Sequence, residues 1–201
     1  GRSNSAGSVR QRARWSVTRS RRIDLQLDPV GQGQRRHARQ LPRLPQIVDA
    51  VSVPVIAAGG IADARGIAAA FALGASAVQI GTAYLFCQQA KLAQPHYRAL
   101  REAAPGSTAL TNLFTGRPAR GILNRVMREL GPMNSQAPEF PLAGGALLPL
   151  KAKTEPAGSG DFINLWAGQA FALSPGRSAQ LSSEELTRKL VADYAARSTC
   201  K

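Results

Sequence analysis

PVIAAGGIADARGIAAAFALGASAVQIGTAYL, residues 54–85, is the stretch whose reading decides the fold. Pro54-Val55-Ile56-Ala57-Ala58 is a short, wholly apolar run that stops at Gly59-Gly60, the pattern of a strand buried on both faces of a parallel sheet. Asp63 has the chemistry of an N-cap, and Ala64 to Leu73 reads as a helix that Gly74 terminates. A second apolar strand, Ser76 to Ile80, ends at Gly81-Thr82. Strand, helix and strand in this order make a βαβ unit, so the two strands are expected side by side and parallel, with a right-handed crossover.

The pattern extends in both directions. Upstream, Leu44, Ile47, Val48 and Val51 share one helical face, with Pro45 expected in the first turn. Downstream the reading is mainly helical: Pro95 to about Ala103, then Arg120 to Leu130 with Ile122, Leu123, Val126, Met127 and Leu130 on one face and Gly131-Pro132 as its stop. In the last helix Ser182 and Glu185 have the spacing of a capping box and Leu181 and Leu186 that of a hydrophobic staple. Leu186, Leu190, Val191 and Tyr194 are expected as its buried stripe.

The charge is uneven. Of a formal +14, residues 1–43 carry +9, from 11 Arg against Asp24 and Asp28 with no Lys. This segment shows no sustained periodicity and is rich in Arg, Ser, Gln and Gly, which leaves three readings: a disordered basic arm, a nucleic-acid-binding tail, or a stretch translated out of frame. Nucleic-acid binding through it would call for aromatic residues among the basic ones, and only Trp15 is present. The other residues form an ordinary enzyme-like composition, with 44% hydrophobic residues in the whole chain to build a core. No apolar run reaches the roughly 18 residues of a membrane span, so a soluble, cytoplasmic protein is expected. Cys87 and Cys200, with His37 and His96, have no metal-ligand spacing, and no metal is expected.

The two glycine turns carry the chemistry. Each directly follows a buried parallel strand, and Gly59-Gly60 and Gly81-Thr82 let backbone N–H groups approach an anion without Cβ obstruction, with the α-helix after the first turn adding its dipole. Gln79 can reach a ligand through its amide. Glycine pairs also serve simply as tight turns, but two such turns on neighbouring strands favour a phosphate cradle of the kind found after the last strands of (β/α)₈ barrels. No G-x-G-x-x-G opens a helix, which argues against a dinucleotide site of the Rossmann kind.

Residues 54–85, together with FTGRPARGILNRV at 114–126 and NLWAGQ at 164–169, resemble the nitronate monooxygenase family, over about Leu44 to the C-terminus. The resemblance implies an α/β fold, the C-terminal portion of a (β/α)₈ TIM-type barrel with a mostly helical added region. Residues 44–90 would be the last βα units and 91–201 the helical region. It implies FMN as cofactor, held by Gly59, Gly60, Gln79, Ile80, Gly81 and Thr82, and oxidation of alkyl nitronates by O₂ to a carbonyl compound and nitrite. Trp166 and Gln169 would lie near the flavin or, for Trp166, simply pack. Arg117 and Arg120 are left as surface residues.

The family's active site uses a glycine-flanked His. His37, in RRHARQ, has no Gly-Gly before it, and His96 reads as an exposed helix residue, so no catalytic residue is assigned. Only the last two barrel strands are legible, and the chain is expected to be incomplete and by itself to bind FMN weakly and lack activity. An FMN-dependent enoyl reductase of fatty-acid synthesis, with similar glycine turns, is the alternative; the segments at 116–121 and 164–169 side with the monooxygenase.

Overall fold

The computed structural model of the chain describes residues 17–18, 22–23 and 40–198. Most of the basic segment, with Trp15 and His37, lies outside them, as does Cys200. Val17–Thr18 (β1) and Arg22–Ile23 (β2) pair antiparallel. The first helix, α1, spans Gln40–Ala50 and so begins before Leu44. Pro45 therefore sits inside it rather than in its first turn, where it withholds one hydrogen bond from the ladder.

The βαβ unit forms. Ile56–Ala58 (β3) and Ala77–Gln79 (β4) pair parallel with Ile56 opposite Ala77, and Ala64–Ala72 (α2) connects them. The Asp63 carboxylate accepts from the backbone N–H of Arg65 at 2.9 Å and of Gly66 at 3.3 Å, satisfying two donors of the first turn. Burial alone would raise the pKa of Asp63, but the Arg65 side chain and these backbone N–H groups outweigh it and hold it below its ordinary value. At the far end Gly74 takes φ +91°, and a Cβ there would meet Val48 Cγ1 at 2.8 Å. The α1 face thus rests on this turn.

The strands are shorter than the apolar runs suggested, and half-buried rather than buried on both faces. Their covered face packs on α2 and on the last helix, α6 (Ser183–Ser198), through Ile67, Val78, Ile80, Leu186 and Leu190. Among the described residues the parallel sheet has two strands and no closed barrel. The capping box of α6 forms in both directions: Ser182 N–H donates to Glu185 Oε2 at 2.7 Å, and Glu185 N–H to Ser182 Oγ at 3.2 Å. Leu186 and Leu190 are buried and Tyr194 packs its ring against Phe71, at 5.3 Å between centroids. Val191, expected in the stripe, is 62% exposed, because one residue beyond Leu190 the helix has turned about 100°.

Most of the regular structure described after Thr82 is helical, but an unexpected antiparallel hairpin lies among the helices. A 3-10 turn covers Thr82–Phe86, and α3 spans Gln94–Glu102. An antiparallel hairpin then joins Thr108–Thr111 (β5) to Ala119–Ile122 (β6), followed by the short helix α4, Arg125–Leu130, and by α5, Leu148–Thr154. The helix expected from Arg120 starts only at Arg125 because Asn124 caps it: its Oδ1 accepts from Met127 N–H at 3.4 Å, and its Nδ2 donates to the carbonyls of Gly160 and Ile163. Residues 119–122 pair instead with β5 on one side and with Leu165–Ala167 on the other, through Ile122 N–H to Leu165 O and Ala167 N–H to Arg120 O. Ile122 enters the core with Phe86, Leu100 and Phe171, while Leu130 is 52% exposed. No helix among the described residues is long and apolar enough to cross a membrane.

Candidate phosphate cleft

The ends of β3 and β4 open onto one cleft of about 190 Å³. Its lining includes Gly59, Gly60, Gln79, Gly81 and Thr82, so five of the six residues singled out in the sequence meet there. Ile80 does not line it; its side chain points into the core beneath, beside α2 and α6. The alternation of a strand explains the difference, since Gln79 and Ile80 face opposite sides.

Backbone geometry suits an approaching anion. Gly59 and Gly60 have φ of +92° and +66°, a conformation that side-chain-bearing residues adopt at a cost. Gly81, at φ −106°, needs no glycine for conformational reasons, and a Cβ there would meet no atom within 4 Å. The absence of a side chain at Gly81 keeps that space open. The first turn of α2, by contrast, is already capped by Asp63, so the donors left to a ligand come from the two glycine turns more than from the helix end.

Two residues of the lining, Gln79 and Thr82, carry polar side chains. Gln79 Oε1 is buried and has no hydrogen-bond partner, an acceptor that a donor-bearing ligand would satisfy. Thr82 Oγ1 accepts from Gly168 N–H at 2.8 Å, which leaves its own proton to donate. A Cβ on Gly168 would stand 3.2 Å from Thr82 Oγ1, a tight contact that glycine relieves.

The third wall was not read from the sequence. It is made by Gly168, Ala170 and Phe171, the last fully buried. Of the NLWAGQ segment, Trp166 and Gln169, expected near the flavin, do not line this cleft, and Gln169 is exposed. Trp166 packs edge-on against Phe114 at 5.5 Å between centroids. Arg117 stacks over Phe140 at 4.2 Å, and Arg120 spends one N–H group on the carbonyl and hydroxyl of Thr108, so neither reaches the cleft. Burial lowers the pKa of Arg120. His96 is buried rather than exposed, with Nε2 3.0 Å from Trp166 O. Among the described residues no His, Cys, Asp and Glu side chains form a group that could hold a metal ion.

The chain is similar to several known proteins. A probable nitronate monooxygenase from Bacillus subtilis is 42% identical over 128 residues, covering 64% of this chain and 37% of its own length. One from Staphylococcus saprophyticus is 34% identical over 146 residues, covering 73% and 41%. The chain thus spans about two fifths of the length of the curated relatives it matches. Among solved structures it superposes on nitroalkane oxidase from Streptomyces ansochromogenes with a TM-score of 0.70 and 39% identity, over 80% of this chain and 45% of that one. FabK from Thermotoga maritima follows with a TM-score of 0.63 and 25% identity, over 79% and 50%. The model of the family described as nitronate monooxygenase matches residues 31–193, starting upstream of Leu44, and the chain belongs to that family.

Proposed function

We propose that this chain supplies the phosphate-binding end of an FMN site in an enzyme that oxidises alkyl nitronates with O₂ to a carbonyl compound and nitrite. The observation that carries the reading is the convergence of the two glycine turns, the Thr82 hydroxyl and the unpartnered Gln79 Oε1 on one cleft at the ends of parallel strands. Membership of the family supports the substrate class.

The residues fit the cofactor's polar end. A cleft of about 190 Å³ is smaller than the roughly 300–1,000 Å³ that takes a whole drug-sized ligand, and matches a phosphate with the first part of its chain. Backbone N–H groups at Gly59, Gly60, Gly81 and Thr82 would donate to the phosphate, and Thr82 would add its hydroxyl proton. Gln79 Oε1 would accept from a ribityl hydroxyl next to the phosphate. Phe171, fully buried, gives the third wall an apolar backing. When bound, FMN supplies the redox chemistry; the chain's contribution is to fix one end of it. Ile80 supports the cradle from the core without touching the ligand. We take the enzyme to act in the cytoplasm on small molecules, with residues 44–90 and 91–201 as parts of one domain.

The test is nitrite release from propionate 3-nitronate or a nitroalkane by a full-length enzyme that contains this chain, since the chain alone is expected to be inactive. FMN-dependent nitrite above a flavin-only control is the expected result. Rapid NADH oxidation with an enoyl thioester, and no nitrite, would favour the enoyl reductase.

A further inference from the structure

His96 is the one buried histidine among the described residues, and its position ties an outer helix to the wall of the cleft. It lies on α3, 8% exposed, with Nε2 3.0 Å from the backbone carbonyl of Trp166. A carbonyl can only accept, so Nε2 carries the proton and donates. Burial lowers the pKa of His96 more than its bond to Trp166 raises it, which favours the neutral ring.

The segment that receives this bond is extended. Leu165 O and the Ala167 N–H both face β6, bonding Ile122 N–H at 2.8 Å and Arg120 O at 3.2 Å. The Trp166 carbonyl between them points the other way, as alternation along an extended chain requires, and His96 takes the place that a further strand would hold. Two residues on, Gly168 N–H donates to Thr82 Oγ1, and Ala170 and Phe171 complete the wall. The segment is therefore fixed along both edges immediately before it reaches the cleft.

We propose that His96 is a positioning residue for the phosphate cleft: by holding the Trp166 carbonyl it sets Gly168 against Thr82, so that the Thr82 hydroxyl proton faces the ligand. This rests on the reading of the cleft as the FMN phosphate site. His96 itself touches no ligand. Losing its bond lets the 166–168 backbone drift outward, and Thr82 Oγ1, no longer held by Gly168, turns away from the cleft.

The experiment measures FMN and riboflavin affinity by flavin fluorescence for the full chain and its variants. Riboflavin lacks the phosphate and reports on everything else. His96→Leu is expected to weaken FMN binding roughly five- to tenfold, the worth of about one hydrogen bond, and to leave riboflavin unchanged. His96→Gln, whose Nε2 can occupy the same position, is expected to restore FMN affinity to within about twofold, since it replaces the single donor. If His96→Leu does not fold, His96→Asn, whose amide is too short to reach Trp166, takes its place with the same expectation. FMN affinity unchanged in the Leu or Asn variant, equal weakening of both flavins, or failure of Gln to rescue would overturn the proposal. A wild-type chain with no preference for FMN over riboflavin would overturn the phosphate reading itself, and that outcome is visible before any substitution is made.

Discussion

Gly81→Ala separates a glycine kept for a ligand from one kept for the fold. At φ −106° the residue lies outside the left-handed region, and an added Cβ meets nothing within 4 Å, so the methyl group fits without strain. Restricting the unfolded chain should then leave stability unchanged or raise it by about 0.4–1 kcal/mol. Binding should respond in the opposite sense. A phosphate oxygen accepting from a backbone N–H sits about 2.9 Å from the nitrogen, and a methyl group on the adjoining Cα crowds that approach. Losing one hydrogen bond to a charged group costs about 1.5–3 kcal/mol, which predicts FMN affinity lower by roughly 10- to 150-fold. Urea denaturation and an FMN titration on the same preparation make the comparison. Undiminished affinity, or a loss of more than about 1 kcal/mol in stability, would refute the reasoning, because the first outcome removes the anion from Gly81 and the second makes the glycine structural.

Other substitutions test the scaffold. Gly121→Ala should destabilise by about 1–3 kcal/mol, the usual cost of overpacking, because its Cβ would stand 2.9 Å from the Leu165 carbonyl oxygen where the cleft wall joins β6; urea midpoints would show it. Asn124→Ala removes a helix cap and leaves the Gly160 and Ile163 carbonyls without their donor, for a loss of about 2 kcal/mol by the same assay. For His96 the folded pKa lies below the ordinary 6.5, so the stability of the neutral buried ring is fully present above that value and is lost as pH falls toward the folded pKa. Denaturation from pH 8 to 5 should show this loss in the wild type and a smaller one in His96→Gln; identical profiles would contradict the assignment.

The βαβ unit was legible because its signals are local. Apolar runs, Asp63 and the glycines at 59, 60, 74 and 81 each constrain only their own neighbours, and local chemistry fixes parallel pairing once two strands flank a helix. The capping box at Ser182 and Glu185 was legible for the same reason. The β5–β6 hairpin was not, because Ile122, Leu123, Val126 and Met127 satisfy a helical period while the backbone of 119–122 pairs with partners both upstream and downstream. Asn124, a strong N-cap residue inside the supposed helix, was the signal that could have placed its start. The third wall of the cleft depends on contacts 86 residues apart, between Gly168 and Thr82, which no local pattern records. His96 misled for a similar reason: its partner is a backbone carbonyl 70 residues away, and nothing in PHYRAL announces burial.

The claim that the two glycine turns form a phosphate cradle is tested most directly by following backbone amide resonances of the chain during titration with FMN, and separately with riboflavin. The account predicts that FMN shifts the amides of Gly59, Gly60, Gly81 and Thr82 most strongly, with Gly168 following through its bond to Thr82, and that riboflavin leaves those amides nearly unmoved. Identical shifts with both flavins, or FMN shifts confined to residues away from these turns, would contradict it.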